Sequence, residues 1–198
     1  MEICYNHVAL RGSAAAEPVY SHETYGQTFY RFPLRVVRLS GQEDVIPVIV
    51  PAAADPAPLP ALGQKLLVEG QLRSFNNKSG QGARLVLSVY SRILVPEEGP
   101  DANSIHLSGI LCKAPVVRRT PLGRCICDLM LAVNRKYGRA DYIPCIAWGQ
   151  AALQAGKLDV GDSLELIGRI QSREYTKVIE GCTFTRTAYE VSIMEILP

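Results

Sequence analysis

The sequence matches itself when it is shifted by 97 residues, and this repeat constrains the fold more than any other feature. Between positions 6 and 49, fourteen residues are identical to their counterparts 97 positions later. Ordinary composition predicts only about three such identities. The shared residues include glycines, prolines and one charged pair, since Arg38 matches Arg135 and Asp44 matches Asp141. The chain therefore contains two copies of one structural unit.

The two copies predict two domains. After a slip of one residue the match resumes, with Gly70 facing Gly168 and Ser74 facing Ser172. Each copy is about one hundred residues long, which is enough for one small domain. We predict an N-terminal domain over residues 1–98 and a C-terminal domain over residues 99–198. The prolines and acidic residues around this boundary are typical of an exposed linker.

Alternating apolar and polar residues predict short strands in each copy. In the second copy we predict five strands, near residues 105–109, 126–133, 142–148, 163–170 and 188–197. A short helix is predicted over residues 150–155, between the third and fourth strands. This is the element order of the OB fold, a small five-stranded barrel. The first copy follows the same order, but its prolines between residues 51 and 60 favour a loop in the place of the helix. The fold class is therefore all-β, with two OB-fold barrels in tandem and a short helix in the second only.

The residue types do not favour an enzyme. The three histidines are dispersed, the acidic residues are scattered, and no phosphate-binding glycine motif is present. The six cysteines are interpreted as small buried residues of a protein in a reducing compartment. We expect no catalytic residue, metal or cofactor. The sequence also has no long apolar run and no signal peptide at its start, so a cytoplasmic protein without a membrane segment is expected.

The second copy resembles the bacterial single-stranded DNA-binding protein family. The resemblance follows an ordered series of motifs along nearly the whole copy. These are Asn103-x-Ile105-x-Leu107-x-Gly109, Pro115-Val116-Val117-Arg118, Leu129-x-Leu131-Ala132-Val133, the stretch from Asp141 to Gly149, Gly161-Asp162, and Gly168-Arg169-Ile170-Gln171-Ser172-Arg173. It implies non-catalytic binding of single-stranded DNA in replication, recombination or repair.

The resemblance also implies a binding site. Members of the family stack bases on four aromatic positions, which fall here on Tyr137, Tyr142, Trp148 and Tyr175. All four residues are aromatic, although aromatic residues make up only 7% of the chain. Basic residues near these rings are candidates for phosphate contacts. They are Arg118, Arg119, Arg124, Arg135, Lys136, Arg139, Arg173 and Lys177.

The first copy lacks the four aromatic residues. The corresponding positions are Ser40, Val45, Val50 or Pro51, and Asn77. Other rings could bind bases or form the barrel core, namely Tyr25, Phe29, Tyr30, Phe32 and Phe75. We therefore predict an asymmetric pair in which the second domain is the main DNA-binding unit.

Two further expectations concern partners. The resemblance implies an assembly of four OB folds, which two chains would supply as a homodimer, and replication or recombination proteins are possible partners. The alternative function is a protein-interaction module on the same fold, such as a primosome-like accessory factor with weak nucleic-acid binding. The missing rings of the first copy favour this alternative, because one fold supports many functions.

Overall fold

A computed structural model describes residues 5–52, 59–77, 83–179 and 182–198. Within these ranges, the side chains of Tyr137, Lys177, Ile179 and Cys182 lie outside the description. The predicted loop in the first copy falls largely on residues 53–58, which also lie outside it.

The first copy forms a six-stranded antiparallel sheet with one parallel pair. Its strands are β1 (Asn6–Ala14), β2 (Val19–Thr24), β3 (Gln27–Val37), β4 (Glu43–Pro51), β5 (Lys65–Asn76) and β6 (Leu85–Pro96). Neighbouring strands follow the order β2-β3-β4-β6-β5-β1, and β1 also pairs with β3. The second pairing of β1 closes the sheet into a barrel.

The second copy repeats this arrangement. Its strands are β7 (Ala102–Leu111), β8 (Val116–Arg119), β9 (Cys125–Asn134), β10 (Ala140–Trp148), β11 (Ser163–Ile179) and β12 (Cys182–Ile196). The order is β7-β11-β12-β10-β9-β8, and β7 also pairs with β9. A seven-residue helix, α1 (Gly149–Ala155), lies between β10 and β11. The predicted all-β fold with OB barrels is confirmed. A short strand absent from the prediction, β2 or β8, is added at one edge of each sheet.

The folded chain divides into two compact units. Unit 1 contains residues 1–6, 74–87 and 105–198, and unit 2 contains residues 7–73 and 88–104. The end of β5 and the start of β6 thus belong to the unit built mainly from the second copy. The predicted division into residues 1–98 and 99–198 stays a prediction.

Closure of each barrel depends on a glycine that the repeat shares. Gly12 lies on β1 where this strand passes from β5 to β3, and a Cβ there would lie 2.3 Å from the carbonyl oxygen of Arg35. At the matching Gly109 of β7, a Cβ would lie 2.8 Å from the carbonyl oxygen of Ala132. Because these backbone contacts leave no space for a side chain, the glycine that the two copies share has the same packing cause in both.

A buried ion pair also recurs in both copies. Asp44 is fully buried, and its two carboxylate oxygens lie 2.6 Å from Nε and Nη2 of Arg38. This hydrogen bond raises the pKa of the Arg38 guanidinium. In unit 1 the fully buried Asp141 is bonded to Arg135 through the same two guanidinium nitrogens. Bidentate pairs of this kind fix the relative orientation of the two side chains and also stabilise the fold.

The segment predicted as an exposed linker is bonded to unit 2. Arg11 forms an ion pair with Glu97, and its Nε donates to the carbonyl oxygen of Pro100 at 2.6 Å. Asp101 accepts a 2.6 Å hydrogen bond from the backbone N–H of Val37 and pairs with Lys65. These contacts attach residues 97–101 to the first barrel.

The buried pair generates a stability prediction. The variant Asp44→Ala removes the partner of a guanidinium that is only 14% exposed. We expect a loss of about 3 kcal/mol in the free energy of unfolding, since an uncompensated buried charge remains. Urea unfolding monitored by circular dichroism measures this change.

Glu43→Ala is the matched control. Its carboxylate lies 3.4 Å from Arg35, and both side chains are about half exposed. This surface pair is expected to contribute about 0–1 kcal/mol. Equal losses in the two variants would contradict a special role for the Arg38–Asp44 pair.

Candidate nucleic-acid interface

Strand β10 separates two kinds of side chain. Successive residues of a strand point to opposite sides. Ile143, Cys145 and Ala147 point into the barrel and are buried, whereas Tyr142 and Trp148 point to the other side. The two rings are six residues apart on one strand, which corresponds to about 20 Å. Both therefore lie on the outside of the second barrel.

Tyr175 lies on the same side of the sheet. Ile146 of β10, on the side of Tyr142, pairs with Ser192 of β12. By alternation along β12, Arg186 shares the side of Ser192, and Arg186 pairs with Tyr175 of β11. Paired residues of neighbouring strands lie on one side of a sheet. We call this outer side, defined by Tyr142, Trp148 and Tyr175, the aromatic face.

The rings of the aromatic face are accessible. Tyr142 is 47% exposed and Trp148 is 39% exposed, while Tyr175 is partly buried. These values differ from those of the core, where the large apolar side chains are almost fully buried. The backbone of Tyr137 lies in a short 3-10 helix (Lys136–Gly138), but its side chain is outside the description. Three of the four predicted rings are thus brought to one surface.

Arg118 is held on the aromatic face by a carboxylate. It pairs with Ile126 of β9, which pairs with Trp148 of β10, so Arg118 and Trp148 share a side. Its Nε and Nη2 lie 2.5 Å and 3.2 Å from the carboxylate oxygens of Asp128. The hydrogen bond to Asp128 raises the pKa of the Arg118 guanidinium. Both side chains remain largely exposed.

Arg173 has a similar arrangement on β11. Its guanidinium carbon lies 6.0 Å from the ring centre of Tyr175, within the range of a cation–π contact. Its Nε lies 3.4 Å from Oε2 of Glu190. The other oxygen of Glu190 accepts a 2.8 Å hydrogen bond from Gln171. A buried carboxylate therefore positions the cation beside the aromatic ring.

Arg135, one of the predicted phosphate contacts, is bonded within unit 1. Besides its bonds to Asp141, its Nη2 donates to the carbonyl oxygen of Ser74 at 3.1 Å. The backbone N–H of Ser74 donates to Asp141 at 2.6 Å, and its hydroxyl oxygen accepts from the N–H of Tyr142 at 2.7 Å. Because these groups satisfy one another, Arg135 orients the start of β10, where Tyr142 lies.

The remaining predicted cations lie at different places in unit 1. Arg119 is exposed on the side of β8 opposite Arg118. Arg124 is exposed in the turn before β9, where its N–H donates to the hydroxyl of Thr120 at 3.1 Å. Lys136 and Arg139 are exposed beside the 3-10 helix, and the side chain of Lys177 is outside the description. Four of these five cations have described side chains, and no described contact places any of the four on the aromatic face.

The sequence analysis missed the carboxylates of the aromatic face. Asp128 and Glu190 both lie on it, each bonded to one of the candidate arginines. The signal was available in part: Asp128 interrupts an apolar run at a position that alternation assigns to the outside. The pairing with arginine depends on strand neighbours that only the fold brings together.

The first barrel has a different distribution of rings. Phe29 and Phe32 are buried in unit 2, and Phe29 stacks on His22 with ring centres 4.7 Å apart. Tyr25 is fully exposed at the turn between β2 and β3. Phe75 is also exposed, but it belongs to unit 1. The rings considered for the first copy are thus divided between core and surface.

The described ranges contain no group of three or more His, Cys, Asp or Glu residues that could hold a metal ion. Within the same ranges, the structure has no helix with the length and apolar character needed to span a membrane.

Comparison with known proteins agrees with the resemblance of the second copy. Residues 102–197 match the model of the single-strand binding protein family. Single-stranded DNA-binding protein 2 of Listeria innocua is 38% identical over 80 residues, which cover 37% of this chain and 50% of that protein. Single-stranded DNA-binding protein A of Bacillus subtilis is 38% identical over 80 residues, covering 37% of this chain and 46% of that protein. The chain thus spans about half the length of the curated relatives it matches.

The whole fold matches a solved protein. A deletion mutant of the single-stranded DNA binding protein from Thermus aquaticus aligns with a TM-score of 0.78 and 26% identity, covering 100% of this chain and 95% of that one. The wild-type protein aligns with the same TM-score and 23% identity, which supports the fold alone. The second copy therefore matches the single-strand binding protein family, and the two-copy fold of the whole chain is similar to that of the Thermus aquaticus protein.

Proposed function

We propose that this chain binds single-stranded DNA without catalysing a reaction on it, and that it acts in replication, recombination or repair. The relatives in Listeria, Bacillus and Thermus are named for binding single-stranded DNA. The observation that carries the proposal is the placement of Tyr142, Trp148 and Tyr175 on one accessible side of the second barrel.

Stacking on these rings supplies the main interaction. Every base has a flat aromatic ring, so stacking binds unpaired bases with little dependence on sequence. In a duplex the ring surfaces of the bases are already stacked on neighbouring bases, so the protein binds single strands in preference. The buried network of Arg135, Asp141 and Ser74 orients the strand start that carries Tyr142.

Cations on and around the aromatic face supply the second interaction. Arg118 shares the side of Trp148, and Arg173 contacts the ring of Tyr175. Both arginines are more than half exposed although each contacts a carboxylate. Exposed Lys136 at the 3-10 helix adds to the positive charge. Phosphates bound by these groups would release counterions, so affinity should fall as the salt concentration rises. We propose Arg119, Arg124, Arg135, Arg139 and Lys177 as further phosphate contacts, and Tyr137 as a further stacking position.

We also propose that two chains associate as a homodimer in the cytoplasm, giving four OB folds. Twofold pairing is the commonest form of assembly. Sedimentation should then give a mass near twice the 21.7 kDa of one chain. A single-chain mass over the micromolar range would contradict this part of the proposal.

The stacking rings generate the central prediction. The variants Tyr142→Ala and Trp148→Ala should each weaken binding to oligo-dT by about 1–3 kcal/mol, since each removes one stacking platform. Fluorescence anisotropy with a labelled oligonucleotide at constant salt measures the change. Duplex DNA of the same length should bind more weakly than the single strand.

Tyr20→Ala is the matched control. Tyr20 is an exposed tyrosine of unit 2 and does not belong to the aromatic face. Its replacement should leave the affinity unchanged. Unchanged affinity in both Tyr142→Ala and Trp148→Ala would contradict the proposed function.

The carboxylates of the aromatic face generate a second prediction. The variant Asp128→Asn removes the negative partner of Arg118 and leaves this guanidinium for a phosphate. We expect tighter binding, and a slope of log K against log salt that is steeper by about 0.7 if one more phosphate is neutralised. Titrations at three or more salt concentrations measure both quantities.

Asp159→Asn removes the same charge at an exposed position after α1 and serves as the control. It should change the affinity much less than Asp128→Asn. Weaker binding by Asp128→Asn, or equal effects in the two variants, would show that Asp128 does not compete with phosphate for Arg118.

A further inference from the structure

Strand β12 carries one more exposed ring on the aromatic face. Phe184 is 46% exposed. It pairs with position 177 of β11, and Arg186, two residues further along β12, pairs with Tyr175. Residues two apart on a strand share a side. Phe184 therefore points to the same side of the sheet as Tyr175, beyond the rings that the family resemblance identified.

The pairing places Phe184 close to Tyr175. They are diagonal neighbours across an antiparallel pair, and such residues are about 7–8 Å apart, within reach of aromatic side chains. The partly buried Arg186 lies next to Phe184 on the same side of β12 and directly opposite Tyr175. An aromatic ring beside a ring and a cation is the combination that binds unpaired bases along a charged backbone.

Packing within the barrel does not account for the ring. Strand β11 pairs with β7 only over residues 163–168, and its later residues pair with β12. Residues 173–179 and 182–188 therefore form a two-stranded arm. Val178, on the opposite side of this arm, is 66% exposed. Phe184 is thus not part of the core. Because it continues the aromatic face, the ligand of that face is the group expected to cover it.

We propose that Phe184 is an additional stacking position, which receives an unpaired base next to the base on Tyr175. This inference rests on the proposed function and extends the contact surface outward along the β11–β12 arm. The ligand is a nucleobase of single-stranded DNA. The phenyl ring stacks on the flat surface of the base, so binding carries no sequence preference.

The test compares variants of the full chain in titrations with oligo-dT of increasing length. Phe184→Ala should weaken binding to long oligonucleotides about tenfold, and its affinity should stop rising at a shorter length than that of the unchanged protein. Phe184→Trp should retain the affinity, because it keeps an aromatic surface. Phe184→Leu should resemble Phe184→Ala, because it keeps an apolar side chain without a ring.

Val178→Ala is the matched control, since it truncates an exposed apolar residue on the other side of the same arm. It should bind as the unchanged protein does. Equal thermal midpoints and equal sedimentation masses among the variants should accompany the affinity difference.

Two results would overturn the inference. In the first, Phe184→Ala binds normally while Tyr142→Ala and Trp148→Ala bind weakly, so that the proposed function stands and the added position falls. In the second, Phe184→Ala changes the sedimentation mass without changing the affinity per chain, which assigns the ring to a contact between chains. Unchanged affinity in all three variants would instead refute the proposed function itself.

Discussion

The interface depends on the two-sided character of strands whose inner side is buried. Ile143, Cys145 and Ala147 of β10 occupy the interior of the second barrel, and their burial determines the register of the strand. A slip by one residue would move Tyr142 and Trp148 inward and expose the core positions. The apolar interaction that stabilises the barrel thus also determines which side carries the rings.

The scaffold is common to both copies, whereas the interface is not. The glycine at barrel closure and the buried arginine–aspartate pair recur with the same contacts. At the aromatic positions the copies diverge, since Val45 stands in the first copy where Tyr142 stands in the second, and Val50 or Pro51 stands where Trp148 stands. Barrel closure and the buried ion pair therefore account for these shared residues of the repeat. The differences fall at the positions of the proposed binding site.

Much of the scaffold follows from the sequence, because strand alternation and the repeat report local geometry directly. The positions of Tyr142 and Trp148 on one side could be predicted from spacing within β10 alone. The bonds of Arg135 to Asp141 and Ser74 could not be predicted, because they depend on strand neighbours that only the fold brings together. Phe184 was missed for a related reason: its proximity to Tyr175 follows from the register of β11 with β12.

The carboxylates on the aromatic face have a consequence for how binding can be released. Asp128 and Glu190 hold Arg118 and Arg173 in place before any ligand arrives, which lowers the entropy that the arginines lose on binding. The same carboxylates compete with phosphate for the guanidinium groups, so the net electrostatic gain is smaller than the number of cations suggests. The proposed interface therefore combines prearranged arginines with competition between carboxylate and phosphate.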